Sequence, residues 1–339
     1  MQFGVAFIPS MPAGDVVDLA RLAETLGYDT IWLPDQTFHR DPFVLLGLCA
    51  QATRRVTLGL AVTNPYTRHP VQIARAAAAV DEIAGGRFIL GLGAGNRSRV
   101  LGAMSLDASG AVRRIEECID VCRRLFRGER VTYRSPTLVL QNLALDFAAR
   151  ADLPIYVASR GPRVLEMAGR AADGVLMEGL FTSGGLSYGL GQIAKGARDA
   201  GRDLERIQRI AWQSAYLSDD PDAAASPLFR RWAGLIIRGT QDRILERIGI
   251  PLEVAGWVRE DFAAHGEQEL GRRVTPDVVR KVLMVGTGAE LAAHADLLEA
   301  HGIDMMSIIV LGEARDVEET LRRFAAEVMS TRQRGTANR

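Results

Sequence analysis

Two polar segments place ionisable side chains directly after apolar runs of the sequence. DQTFHRD, at 35–41, follows TIWLP and contains His39, and EGLFTSGG, at 178–185, follows GVLM and begins with Glu178. Both residue types suit general acid or base catalysis, and histidine titrates in the useful pH range. Helix capping or exposure to water would explain His39 equally well. We predict that His39 or Glu178 is the proton donor or acceptor of a catalytic site.

A third segment, SRGPRVLEMAGR, has the features of an anion site. Gly161 and Pro162 stand at the start of a predicted helix, with Arg160 and Arg163 on either side. Free N–H groups in a first helical turn, the helix dipole and an arginine together bind phosphate. The alternative is that Gly and Pro only turn the chain, since proline suits a first helical turn. In the second half of a barrel, phosphate binding is the favoured interpretation.

Other candidate motifs are less informative. GLGAGN, at 91–96, lacks the third small residue of a dinucleotide-binding fingerprint and has no acidic partner, so its glycines are predicted to let the backbone approach a flat ligand. A serine hydrolase is not indicated, because the sequence has no G-x-S-x-G motif. No metal site is predicted, because H-E-x-x-H is absent and the five histidines are scattered.

The elements that carry these segments alternate between short apolar runs and longer helical runs. The apolar runs have no polar face, which predicts strands buried on both sides, as in a parallel sheet. Eight such units favour an α/β fold of the (β/α)8 TIM barrel type, in which chemistry collects at the C-terminal ends of the strands. The predicted strands begin near residues 3, 30, 56, 87, 154, 174, 209 and 306.

Two segments interrupt this alternation. A hairpin is predicted over 131–145, and a helical insertion at about 220–303 separates the seventh and eighth strands. The insertion suits a substrate lid, a dimer contact or a packed helical subdomain. We predict a single barrel domain over 1–330 and a disordered tail over 331–339.

Composition argues against several classes of protein. The chain of 339 residues has a formal net charge of zero, which gives no reason to expect binding to nucleic acid or to an anionic membrane. It has no run of about 18 apolar residues, so no transmembrane helix is expected, and its N-terminus has no signal-peptide pattern. Its three cysteines fit the reducing cytoplasm.

Three motifs in this order, LAVTNPYTRHP, FILGLGAGNR and YVASRGPRVLEMAGRAADGV, resemble the bacterial luciferase-like superfamily. The nearest branch is that of the F420-dependent oxidoreductases similar to methylenetetrahydromethanopterin reductase. The resemblance implies a homodimeric barrel that binds coenzyme F420, or alternatively FMN, at the C-terminal ends of its strands. It implies hydride transfer between deazaflavin C5 and a small organic substrate such as an imine, enone or alcohol. An FMN-dependent monooxygenase and a non-catalytic cofactor-binding barrel are the alternatives.

The resemblance also assigns individual residues. It implies a cis peptide bond between Ala61 and Val62, in a bulge that backs the ring of the cofactor. Ala6 and Asn96 replace carboxylates of the pterin reductases, and Gln36 replaces a histidine of the related sugar-phosphate dehydrogenases, which argues against those two substrates but not against the cofactor. The expected cofactor-binding residues are Asp35, Ala61, Val62, Thr63, Asn64, Gly95, Asn96, Ala158, Ser159, Arg160, Gly161 and Pro162.

Overall fold

A computed structural model describes residues 1–267, 269–310 and 313–330 of the chain, so the predicted disordered tail lies outside the described residues. Its strands are β1 (Gln2–Phe7), β2 (Thr30–Leu33), β3 (Thr57–Thr63), β4 (Phe88–Leu92), β5 (Val131–Arg134), β6 (Val139–Leu143), β7 (Ile155–Ser159), β8 (Gly174–Glu178), β9 (Gln208–Leu217), β10 (Met284–Gly286) and β11 (Met305–Val310). Its helices are α1 (Ala13–Leu26), α2 (Pro42–Ala52), α3 (Pro70–Ala84), α4 (Ala111–Phe126), α5 (Pro162–Ala171), α6 (Ser183–Asp199), α7 (Pro227–Arg238), α8 (Asp242–Arg247), α9 (Leu252–His265), α10 (Pro276–Val282), α11 (Gly288–Ala300) and α12 (Ala314–Phe324).

Eight parallel strands form a closed barrel. They follow the order β1, β2, β3, β4, β7, β8, β9 and β11, and β11 pairs with β1 to close the ring. These are the eight strands predicted from the apolar runs, so the predicted (β/α)8 TIM barrel is confirmed. The predicted hairpin is also present as the antiparallel pair β5 and β6.

The segment between β9 and β11 is mostly helical, as predicted. It contains α7 to α11, and β10 pairs with the C-terminal end of β9. Trp232 and Trp257 are partly buried against the hydrophobic core. This packing fits a packed helical subdomain, and a role of the insertion as a substrate lid or a dimer contact stays a prediction. Among the helices in the described residues, none combines the length and the apolar character needed to cross a membrane.

The barrel interior is filled by a small apolar cluster that includes three aromatic rings. Trp32 lies edge-on to Trp212, with ring centroids 6.1 Å apart, and tilted against Tyr156 at 6.2 Å. A Cβ atom at Gly59 would lie only 2.0 Å from the Trp32 ring, so this glycine makes room for the indole. Towards the C-terminal ends of the strands the cluster continues with smaller residues, namely Ala6, Ala61, Val62, Ala158 and Ile309.

Helices α5 and α6 pack with their backbones almost in contact. A Cβ atom at Gly169 would lie 2.1 Å from the carbonyl oxygen of Ile193, and one at Gly196 would lie 1.8 Å from that of Glu166. Only glycine permits this approach, because any side chain would push the helices apart. The crossing holds α5 at a fixed depth against the barrel.

The N-terminal end of the barrel contains a cavity of about 540 Å³. One of the acidic residues that line it, Glu24, is bonded to the backbone. Its carboxylate accepts hydrogen bonds from the N–H groups of Arg54, Arg55 and Val56. Burial opposes ionisation, but these donors lower the pKa of Glu24 below its ordinary value. The carboxylate therefore stabilises the start of β3.

Candidate active site

The end of β3 carries a bulge at the mouth of the barrel. The peptide bond between Ala61 and Val62 is cis, as predicted, and the pairing of β3 with β4 shifts register between Leu60 and Thr63. A Cβ atom at Gly91 would lie 2.0 Å from the Leu60 carbonyl oxygen, and one at Gly93 would lie 2.5 Å from Val62 Cγ2. Gly91 and Gly93 of GLGAGN therefore make room for the bulge. The approach of a flat ligand to this segment stays a prediction.

Asp35, at the end of β2, is joined to the bulge by hydrogen bonds. Its carboxylate accepts from Thr63 Oγ1 at 2.8 Å and from Arg68 Nε at 3.2 Å, and its side chain is only 5% exposed. Arg68 also donates to Asp41 at 2.6 Å and lies over the ring of Phe43. Burial alone would lower the pKa of Arg68, but its bonds to the two aspartates raise it. Arg68 therefore stays charged and connects the loops after β2 and β3.

Asn64 organises the loop after β3. It is buried, and its Oδ1 accepts from the backbone N–H groups of Tyr66 and Thr67 at 3.1 and 3.0 Å. Gly95 has φ of +71°, and a Cβ atom there would lie 3.2 Å from Asn64 Cγ. Asn96 accepts from the backbone N–H of Arg99 and caps the short helical turn that follows. Both asparagines thus shape the mouth, and their contact with a cofactor stays a prediction.

The turn after β7 has the geometry expected of an anion site. Ser159 Oγ accepts from the Gly161 N–H at 3.0 Å, and Pro162 is the first residue of α5. Within the part of the chain that the structure describes, no side chain caps the N-terminus of α5. Its first N–H groups are therefore available to a ligand, as in known phosphate sites.

Arg160 in this turn has two side-chain partners. Its Nη1 donates to Thr240 Oγ1 at 2.8 Å, and its Nη2 lies 3.1 Å from Glu178 Oε2. Glu178 is thus ion-paired, whereas His39 is exposed and has no hydrogen bond to any described residue. The structure places His39 on the loop after β2 and Glu178 at the C-terminal end of β8, on opposite sides of the bulge in the strand order.

Sequence reasoning missed two residues of the site. Arg68 lies within the TNPYTRHP segment, but its partners are 33 and 27 residues away, so no local pattern identifies its role. Thr240 lies in the insertion, 80 residues from Arg160. Only a structure brings such partners together.

The model of the luciferase-like monooxygenase family matches residues 1–305. The chain belongs to this family. Among its relatives is the 5,10-methylenetetrahydromethanopterin reductase of Methanolobus tindarius, which is 33% identical over 309 residues, or 89% of this chain and 92% of the relative. The F420-dependent glucose-6-phosphate dehydrogenase of Kineococcus radiotolerans is 31% identical over 261 residues, which cover 71% of this chain and 74% of the relative.

A solved structure of the same fold covers nearly the whole luciferase-like chain. The coenzyme F420 dependent tetrahydromethanopterin reductase from Methanopyrus kandleri matches 97% of this chain and 99% of its own, with a TM-score of 0.86 and 25% sequence identity. The insertion is included in this coverage. The resemblance inferred from three motifs is therefore confirmed along most of the chain.

Proposed function

We propose that the protein is an F420-dependent oxidoreductase that transfers a hydride to or from a small organic substrate. The observation that carries this proposal is the bulge at Ala61 and Val62, which lies among small apolar residues at the C-terminal ends of the barrel strands. The relatives named for F420 support the choice of cofactor.

The residues at the mouth fit a deazaflavin. Val62 and Ala158 are small, apolar and partly exposed, and they pack against a cluster that contains the buried Ala6 and Ala61, as the support of a flat ring requires. The first N–H groups of α5, together with Arg160, suit the phosphate of the cofactor. When bound, F420 would supply the hydride-transferring carbon, C5. The further residues proposed to contact the cofactor are Asp35, Thr63, Asn64, Gly95, Asn96, Ser159, Gly161 and Pro162.

The proposal is tested by titrating the purified protein with F420 and with FMN. We expect tighter binding of F420, and a change in deazaflavin absorbance on turnover with one member of a panel of imines, enones and alcohols. Tighter binding of FMN with oxygen consumption would identify an FMN-dependent monooxygenase instead. Tight binding of F420 without turnover across the panel would indicate a non-catalytic cofactor-binding barrel.

We propose His39 as the proton donor or acceptor of the reaction, since it is exposed on the loop after β2 and is not engaged elsewhere among the described residues. His39→Ala is expected to lower turnover by roughly a hundredfold, the lower end of the effect of a general acid or base. Cofactor affinity should be unchanged. The matched control is His265→Ala, an exposed histidine at the end of α9. Wild-type turnover in the His39 variant would exclude this role.

We also propose a homodimer formed through α2 and α3. Val44 and Leu48 on α2 are 64% and 45% exposed, and Ile83 on α3 is 45% exposed beside Gly47. These side chains form an uncharged apolar surface, which a second copy can cover without like-charge repulsion across the two-fold axis.

The dimer is tested with the double variant Val44→Glu and Leu48→Glu. The like charges would face each other across the two-fold interface, so we expect a monomer in light scattering after gel filtration. Val139→Glu, at an equally exposed apolar position on the hairpin, should leave the mass unchanged. A wild-type mass for the double variant would place the interface elsewhere or show a monomeric protein.

A cytoplasmic location is the last part of the proposal. Cys49, Cys118 and Cys122 are buried and free, and the Sγ atoms of Cys118 and Cys122 are 4.0 Å apart. Burial raises the pKa of the Cys49 thiol to about 12, so it is inert near neutral pH. Free thiols of this kind are typical of a reducing compartment.

A further inference from the structure

The turn of Ser159, Arg160 and Gly161 after β7, here called the anion turn, carries a guanidinium that is paired with a carboxylate. Glu178 ends β8, the neighbour of β7 in the barrel, and its Oε2 lies 3.1 Å from Arg160 Nη2. The Glu178 side chain is 49% exposed and that of Arg160 is 23% exposed, so the pair lies at the solvent boundary of the mouth. A ligand bound to the anion turn would therefore approach a positive and a negative group together.

The remaining groups around the turn define its charge. Arg163 is exposed on the first turn of α5, and the Tyr188 hydroxyl on α6 donates to the Arg160 carbonyl at 3.4 Å. Arg243 and Arg247 of α8 act electrostatically on Tyr188. Among the partners that the structure gives to Arg160, Glu178 is the one that carries a negative charge. The Glu178 carboxylate therefore lowers by one the net positive charge of the region around the turn.

We propose that Glu178 is a specificity-determining residue of the anion turn, which favours a singly charged phosphodiester over a doubly charged phosphomonoester. This inference rests on the proposed function. The Glu178 carboxylate repels every negative charge of the ligand, so a dianion loses about twice as much binding free energy as a monoanion. F420 carries a phosphodiester, whereas FMN carries a phosphomonoester that is doubly charged above a pH of about 6. Glu178 would thus oppose the second phosphate charge of FMN, a charge that the phosphodiester of F420 lacks.

This role differs from the one predicted for Glu178 from the sequence. Its carboxylate is held by Arg160 at the edge of the mouth, and the partner that it neutralises belongs to the anion turn rather than to a reacting group. A proton donor would need to reach the substrate, and His39 is free to do so. The two roles are separable, because loss of a proton donor lowers turnover, whereas loss of a charge selector changes cofactor preference.

The test uses three ligands that share one deazaflavin ring and differ only at the phosphate. They are the phosphate-free ribityl deazaflavin, its methyl phosphodiester and its phosphomonoester, titrated by fluorescence at pH 8 and low salt. In Glu178→Gln, we expect the phosphate-free compound to bind as before, the diester about threefold tighter and the monoester about tenfold tighter, because the effect multiplies with charge. The preference for the diester should therefore fall about threefold.

Three further variants separate charge from structure. Glu178→Asp retains the negative charge, so it should retain the preference for the diester over the monoester. Thr240→Val removes the neutral partner of Arg160 and should also retain this preference. Glu319→Gln removes an exposed carboxylate on α12, which packs against α1, and should change nothing. Equal changes for diester and monoester in Glu178→Gln would overturn the inference while F420 still binds. Failure of the wild type to bind F420 would overturn the proposed function itself.

Discussion

Arg68→Met is expected to lower the free energy of unfolding by about 3 kcal/mol, because it leaves a buried carboxylate without its ion-pair partner. Asp35 is 5% exposed, and without Arg68 it would keep only Thr63 Oγ1 and the N–H of Thr37 as donors. Asp41 would lose its ion-pair partner as well and would keep its hydrogen bond from the Phe43 N–H. Urea denaturation of the two proteins at neutral pH measures the difference.

The matched control removes both charges of the pair. Arg68→Met combined with Asp35→Asn should be more stable than Arg68→Met alone, because no unpaired buried charge remains. Losses that simply add in the double variant would show that the two side chains do not interact. F420 titration of the folded variants then tests whether the Asp35 carboxylate is needed for cofactor binding as well as for stability.

Gly91→Ala is expected to destabilise the protein by about 3 kcal/mol, the upper range for overpacking. The added methyl group would lie 2.0 Å from the Leu60 carbonyl oxygen. This oxygen belongs to the backbone, so it can move only if β3 and β4 separate beside the bulge. The variant should therefore also bind F420 more weakly, as measured by fluorescence titration alongside denaturant unfolding.

Gly191→Ala provides the control for a glycine replacement. Gly191 lies within α6, and a Cβ atom there would meet nothing within 4 Å. Alanine should therefore be neutral or should stabilise the protein by about 0.5–1 kcal/mol through its higher helix propensity. Wild-type stability of Gly91→Ala would contradict the close approach of the two strands.

The barrel was predictable because its signals are local. Each strand is a short apolar run, and a strand buried on both faces needs no information about its neighbours to be recognised. The positions of His39 and Glu178 near the C-terminal ends of strands follow from the same pattern. The cis peptide at Ala61 and Val62 was implied by family resemblance alone, since no local pattern indicates one.

The connections within the site were not predictable in the same way. Arg68 could have been assigned to water or to any nearby carboxylate, and its partners depend on how β2 and β3 lie side by side. The contacts of Gly91 and Gly93 with the bulge were not predicted either, because sequence does not show which strand lies beside them. Glu178 was judged by residue type alone, because its ion pair with Arg160 is not visible in the sequence.

The crossing of α5 and α6 has a mechanical consequence for the mouth. Gly169 and Gly196 lie against carbonyl groups of the facing helix, so neither helix can slide or roll without a steric clash. The two helices therefore behave as one rigid body. The turn of Ser159, Arg160 and Gly161 lies at one end of this pair of helices, so its position relative to the barrel is fixed. Thr240 of the insertion is bonded to this fixed turn through Arg160.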